Sequence, residues 1–225
     1  MDDIYSTLAA LYDAARDFCS GGARELLESK RLLGEYERPV MGEGAAGGVL
    51  LIGEAPGREE TEAGRPFVGK AGKTLDSLLE QSGIERGGLY ITNTVKYRPY
   101  KLSARGTKSN RPPARAEIAL FSPLLFAELA LIRPRLILTL GNTPLFALTG
   151  GAQTITQAHG RPVSYTVSQP EQSSIFYKFM PPSDAAFSAT LIPLYHPASA
   201  IYDRSKLSLM QADMLTVSEA VRTLV

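Results

Sequence analysis

From Gly47 onward the apolar residues of this chain fall in short unbroken runs. They are Val49-Leu50-Leu51-Ile52, Leu89-Tyr90-Ile91-Thr92, Leu136-Ile137-Leu138-Thr139-Leu140 and Thr190-Leu191-Ile192-Pro193-Leu194. Runs of strand length without polar alternation suit strands buried on both faces. Between them the apolar positions switch to helical spacing. Leu75, Leu78 and Leu79 share a face of Thr74–Gln81, and Ile118, Phe121, Leu125 and Leu129 recur within Ala114–Ile132. Asn142 can cap a short helix through Ala147, and Ser205 a final helix to Leu224. Strands alternating with helices predict an α/β fold, a three-layer α/β/α sandwich around a central four-stranded parallel sheet. Ahead of it, Ile4, Leu8, Leu11, Tyr12 and Ala15, then Leu26, Leu27, Leu32 and Leu33 beyond a Cys19-Ser20-Gly21-Gly22 break, predict two helices. Residues 1–225 thus read as one domain whose residues 1–33 form an N-terminal helical segment. Ser168 to Ser188, rich in Pro, Ser and Gln, reads as an irregular excursion.

Composition narrows the class. The 225 residues are 44% hydrophobic and 21% charged, which suits a compact globular chain. No run reaches the roughly 18 to 20 apolar residues of a membrane span, and Met1-Asp2-Asp3 lacks the basic-then-apolar start of a secretory signal, so the expected compartment is the cytoplasm. Cys19 is the sole cysteine, which excludes an internal disulfide and a four-cysteine zinc or iron–sulfur site within one chain. Net charge is only +1, so affinity for a polyanion must come from local clustering. Lys96 to Ala116 supplies it: Lys96, Arg98, Lys101, Arg105, Lys108, Arg111 and Arg115 with no Asp or Glu, interleaved with Tyr97 and Tyr100. That is a candidate footprint for a phosphate backbone, or else a solvated loop.

In a parallel sheet, ligands bind beyond the carboxyl ends of the strands. The first strand releases Gly53-Glu54-Ala55-Pro56-Gly57, a tight turn that delivers Glu54 to that edge, followed by Glu59-Glu60 and Gly64-Arg65-Pro66-Phe67-Val68-Gly69. The second ends at Asn93, whose carboxamide offers an acceptor and two donors in one plane, the pattern that reads an amide-like edge such as a pyrimidine's. The fourth runs into Tyr195-His196-Pro197-Ala198-Ser199-Ala200-Ile201-Tyr202, which aims His196 at the same cleft. Each piece alone has a plainer reading: an acidic turn, a turn-forming Asn, a structural His. The tip Ala200-Ile201-Tyr202 is core packing or a wedge for a base stack. His159 reads as structural.

Together these motifs resemble the uracil-DNA glycosylase superfamily, most closely its family 4. The resemblance lies in Gly53-Glu54-Ala55-Pro56-Gly57 with Gly64-Arg65-Pro66-Phe67-Val68-Gly69-Lys70-Ala71-Gly72, then Asn93-Thr94-Val95-Lys96-Tyr97-Arg98-Pro99, Leu140-Gly141 and His196-Pro197-Ala198-Ser199, spanning Gly42 to the C-terminus. It implies a hydrolase acting as a monomer on uracil-containing DNA, with the base turned out of the helix into a pocket. It implies that Phe67 stacks on uracil, that Asn93 bonds O4 and N3, and that Gly53 and Ala55 line the pocket. His196 would stabilise the departing base at O2, and Glu54 would position or deprotonate the water, with Glu60 the alternative for that role. Lys96, Arg98, Lys101, Arg105, Lys108, Arg111, Ser199, Ile201 and Tyr202 would contact DNA.

Family 4 members usually hold a 4Fe–4S cluster through four cysteines. Here Tyr97 and Phe121 stand at two of those positions, Cys19 is the remnant of the first pair and Gly22 stands opposite it. The expectation is therefore no cofactor and no metal, with aromatic packing in the cluster's place. Tyr100 to Ser109 lengthens the basic loop to a length similar to that of an X-type branch whose members trap DNA through a loop histidine. Asn110 matches that histidine, which implies hydrolysis without a covalent adduct. Two other readings remain open at this point: a catalytically inactive nucleic-acid-binding protein derived from a glycosylase, and a glycosylase for another deaminated base such as hypoxanthine or xanthine.

Overall fold

The computed structural model describes residues 2–168, 173–179 and 186–224. In chain order the elements begin with α1 (Asp2–Phe18), a π-type turn at Cys19–Ala23, α2 (Arg24–Ser29), β1 (Glu43–Gly44), β2 (Val49–Gly53), α3 (Arg58–Ala63), α4 (Lys70–Gln81) and β3 (Leu89–Asn93). They continue with β4 (Tyr100–Leu102), β5 (Lys108–Asn110), α5 (Arg115–Ile132), β6 (Leu136–Leu140), α6 (Asn142–Thr149) and α7 (Ile155–Ala158). Last come β7 (Val163–Val167), β8 (Phe187–Leu194), α8 (Ala198–Tyr202) and α9 (Ser205–Arg222).

Among the described residues the main sheet has six strands in the order β1-β3-β2-β6-β8-β7. The central β3, β2, β6 and β8 are mutually parallel, as the apolar runs predict. The sheet is wider than that expectation: β1 pairs antiparallel with β3 and β7 antiparallel with β8, one at each edge. Part of the stretch read as irregular is also ordered, since β8 starts at Phe187 and Tyr177–Phe179 forms a 3-10 turn beside buried Phe176. The rest of that excursion, 169–172 and 180–185, lies outside the described residues.

One face of the sheet carries Leu50, Ile52, Ile137 and Leu191 against Leu8, Leu11 and Ala15 of α1 and Phe121, Leu124 and Leu125 of α5. The N-terminal helices therefore pack on the sandwich and do not swing free of it. The other face carries Leu51, Ile91 and Leu138 against Leu75, Leu78 and Leu79 of α4 and Met210, Met214 and Val217 of α9. Asn142 does not cap its own helix. Gly141 precedes α6 with a positive φ of 89°, and Asn142 Oδ1 accepts the Ile155 N–H at 2.9 Å, so the side chain closes the start of α7 instead.

β2 leads to β3 on one side and the chain crosses to β6 on the other, so the order reverses at β2. This is the kind of switch point where two diverging loops leave a crevice.

Candidate active site

The register pairs Gly53 with Asn93, so the two strand ends are level. They are stitched together: the Thr94 N–H donates to Gly53 O at 2.9 Å and the Val95 N–H to Glu54 O at 3.1 Å. A Cβ on Gly53 would stand 2.3 Å from Asn93 Oδ1 and 2.5 Å from Phe67 Cζ. Only a glycine lets the carboxamide and the ring close over that backbone, so Gly53→Ala is expected to displace both and abolish the site while circular dichroism stays native.

Phe67 sits at φ +53°, a left-handed conformation that strains a residue with a side chain, by about 1 to 3 kcal/mol. Two contacts hold it there. A Cβ on Gly72 would lie 1.9 Å from Phe67 O, so the first turn of α4 presses directly on that peptide. Glu60 acts as a buckle: Oε1 accepts the N–H groups of Val68 at 3.1 Å and Gly69 at 2.7 Å, while Oε2 accepts that of Gly57 at 3.1 Å. With three backbone donors upon it, Glu60 shapes the turn and is a poor candidate for handling water.

A cavity of about 870 Å³ opens at the crevice, lined by Glu54, Ala55, Phe67, Asn93 and His196, with Arg58, Lys70, Lys108, Asn110, Ile201 and Tyr202 farther out. The Phe67 and His196 rings are 6.0 Å apart between centroids. Asn93 is only 2% exposed, and among the described residues its carboxamide has no hydrogen-bond partner. The carboxamide lines the cavity and is free to pair with a ligand seated there.

His196 packs against Gly141, where a Cβ would come within 3.2 Å of the His196 Cβ. Burial brings the imidazole down to about 4, against the opposing pull of Glu60, so it is neutral at pH 7. The Ala198 N–H donates to Nδ1 at 3.2 Å, which puts the ring proton on Nε2 as a donor. Glu54 accepts the Thr143 hydroxyl at 2.6 Å, and burial raises its carboxyl above the usual 4.5 despite that bond. The cleft thus combines an acceptor of protons, a neutral donor, an aromatic face and an amide edge.

The basic stretch proves to be two populations. Lys96 is fully enclosed and ion-paired with Glu128, so it is not a phosphate contact. Arg98, 5% exposed, donates from Nε to Asn110 Oδ1 at 2.7 Å and faces Glu35. Arg111 forks onto Glu117 at 2.6 and 2.9 Å and onto Leu33 O, so it too serves the structure. Lys101 and Arg105 lie exposed on the β4–β5 hairpin with no acidic partner among the described residues, and Lys108 shares the exposed face of β5, 2.9 Å from Glu35. Ser199 gives its hydroxyl to His196 O at 2.7 Å, whereas Ile201 and Tyr202 project, Tyr202 at 89% exposure. Sequence reasoning missed Arg58, loosely paired with Glu62 at 3.9 Å, and Lys70, both of which line the cavity, and Thr143, whose role no local pattern announces.

The residues present do not fit an iron–sulfur cluster. Cys19 is buried alone, and the Tyr97 ring stacks 4.4 Å from Tyr36 and 5.5 Å from Phe121, which meets Phe18 at 5.8 Å. The Tyr97 hydroxyl donates to Glu117, tying this cluster to the start of α5. Phe121→Ala is expected to cost about 3 to 5 kcal/mol of stability by urea unfolding, with the activity of the remaining folded enzyme unchanged.

The uracil DNA glycosylase superfamily model matches residues 41–220. Type-4 uracil-DNA glycosylase of Sulfurisphaera tokodaii is 33% identical over 78% of this chain and 70% of its own, and that of Thermotoga maritima 34% over 70% and 68%. The corresponding protein of Saccharolobus solfataricus is 33% identical over 81% and 76%. The crystal structure of wild-type Pedobacter heparinus SMUG2 superposes with a TM-score of 0.50 at 16% identity, covering 79% of this chain and 77% of that one, a likeness of fold. A sandwich with a cleft of this kind defines a DNA N-glycosylase, a hydrolase of N-glycosyl bonds. The chain belongs to the uracil-DNA glycosylase superfamily.

Proposed function

We propose that the protein excises uracil turned out of DNA, by hydrolysis and without a lyase step, leaving an abasic site. The observation that carries this reading is the Asn93 carboxamide, without a hydrogen-bond partner among the described residues and held beside Phe67 in a cleft that Glu54 and His196 also line. The Asn93 amide matches uracil, accepting from N3–H and donating to O4; cytosine presents the reverse pattern, and a mismatched polar pair in a closed pocket is strongly penalised. As the glycosidic bond lengthens, negative charge gathers on the base and positive charge on the sugar. The Nε2–H of neutral His196 meets the former at O2. Glu54 faces the latter and takes a proton from the incoming water. The site comes from one chain, so a monomer suffices, acting in the cytoplasm where DNA is reached.

The test is incubation with oligonucleotides carrying uracil opposite guanine, opposite adenine or in a single strand, then alkali. Scission in at least one is expected; none in all three rejects the reading. Strands with hypoxanthine or xanthine in the same assay decide the base, and scission confined to them would replace uracil as the substrate.

Lys101, Arg105 and Lys108, with Arg58 and Lys70 opposite, are the proposed phosphate contacts. Neutralising Lys101, Arg105 and Lys108 together is expected to weaken binding of all sequences alike and to lower the salt slope of log K by about 2 to 3. An unchanged slope places the backbone elsewhere.

A further inference from the structure

Beyond Glu117 in its first turn, the buried side of α5 is apolar except for Glu128, which lies among Leu124, Leu125, Ala127 and Leu129. Its partner, Lys96, is equally enclosed, both side chains having 0% exposure. Lys96 Nζ donates to Glu128 Oε2 at 2.5 Å, to Thr92 Oγ1 at 2.7 Å and to the Asn93 carbonyl oxygen at 2.7 Å, so its three protons are used. Glu128 Oε1 accepts from Tyr12 of α1 at 2.6 Å and from Thr92 at 3.1 Å. A buried pair of this kind is poorly explained by stability, because apolar residues of similar volume often do as well or better.

What the pair does fix is a peptide. The Asn93–Thr94 unit is gripped from both ends, its carbonyl by the Lys96 ammonium and its N–H by Gly53 O at 2.9 Å. A hydrogen bond from a charged donor is roughly twice as strong as a neutral one. With that peptide immobile, the direction of the Asn93 side chain is set through its own backbone, since no hydrogen bond among the described residues reaches the carboxamide itself.

We infer that the buried Lys96–Glu128 pair is a positioning device that aims the Asn93 carboxamide at the flipped base. The inference rests on the proposed base-reading role of Asn93. It makes Lys96 and Glu128 positioning residues that never touch substrate.

The test uses the Lys96→Met/Glu128→Leu double variant, which fills the same space without charge, beside Asn93→Asp as a reference for the site. Melting temperature, affinity for DNA bearing a non-cleavable uracil nucleotide, and single-turnover excision at saturating enzyme are measured on each. The double variant is expected to melt at or above the wild-type temperature, to bind within about twofold, and to excise about 10- to 100-fold more slowly, the scale of a small misplacement. A wild-type rate in the folded double variant, with Asn93→Asp inactive, overturns the inference. Wild-type rates in both remove the Asn93 assignment beneath it. Should the double variant not fold, Glu128→Gln decides: it keeps shape and removes the counter-charge, and a full excision rate there overturns the inference equally.

Discussion

Asn93→Asp is expected to lower uracil excision by on the order of 10³-fold while leaving the fold and the affinity for undamaged DNA unchanged. The substitution keeps the shape and replaces the amide donor by a second acceptor, so a carboxylate oxygen faces uracil O4. Asn93 is 2% exposed and the Gly53 backbone lies against its Oδ1, so a rotated side chain does not relieve the clash. Single-turnover rates together with binding to uracil-free duplex separate this from a general loss of structure. A rate within threefold of wild type takes base reading away from Asn93.

Glu54→Gln is expected to cost on the order of 10²-fold to 10³-fold and to change the shape of the pH profile. In the wild type the base must be ionised. Burial raises the Glu54 carboxyl above 4.5, so the rate falls with acid through a midpoint above that value and is flat toward neutrality. In Glu54→Gln the residual rate loses that limb. His196, brought down to about 4 by burial, adds no inflection near 6.5. A wild-type profile that instead rises as pH drops through 6.5 would make His196 a proton donor and reverse these roles. The same residue bears on stability. The unfolded chain takes up this proton near 6.5 and the folded protein only near 4, so protonation favours unfolding. The stability it contributes is complete above pH 6.5 and is lost as pH falls toward 4, by at most about 3 kcal/mol given its partial exposure.

The four central strands were legible because burial on both faces leaves unbroken apolar runs. The edge strands were not. Val163-Ser164-Tyr165-Thr166-Val167 alternates and is largely exposed, and Glu43-Gly44 is too short to carry a pattern. α3, Arg-Glu-Glu-Thr-Glu-Ala, has no apolar stripe and depends on the Glu60 buckle, a contact with residues beyond its own C-terminus. Glu54, Asn93 and His196 were readable because each lies at or within two residues of the carboxyl end of a strand, and strand register brings such residues together. Phe67 lies well past its strand and came from family resemblance alone. The basic run misled for a definite reason. The partners of Lys96, Arg98 and Arg111 are Glu128, Glu35 and Glu117, and the first two lie far away in the chain, so a local count of charge takes committed cations for free ones.

Glu54, Phe67, Asn93 and His196 are proposed to close around one extruded uracil. A crystal structure of the protein with a duplex carrying 2′-fluoro-2′-deoxyuridine, which resists cleavage, addresses it directly. Uracil is expected on the face of Phe67, with its O4 and N3 on the Asn93 carboxamide, O2 at His196 Nε2 and C1′ on the Glu54 side. Uracil left stacked in the duplex, or seated away from these four side chains, would contradict it.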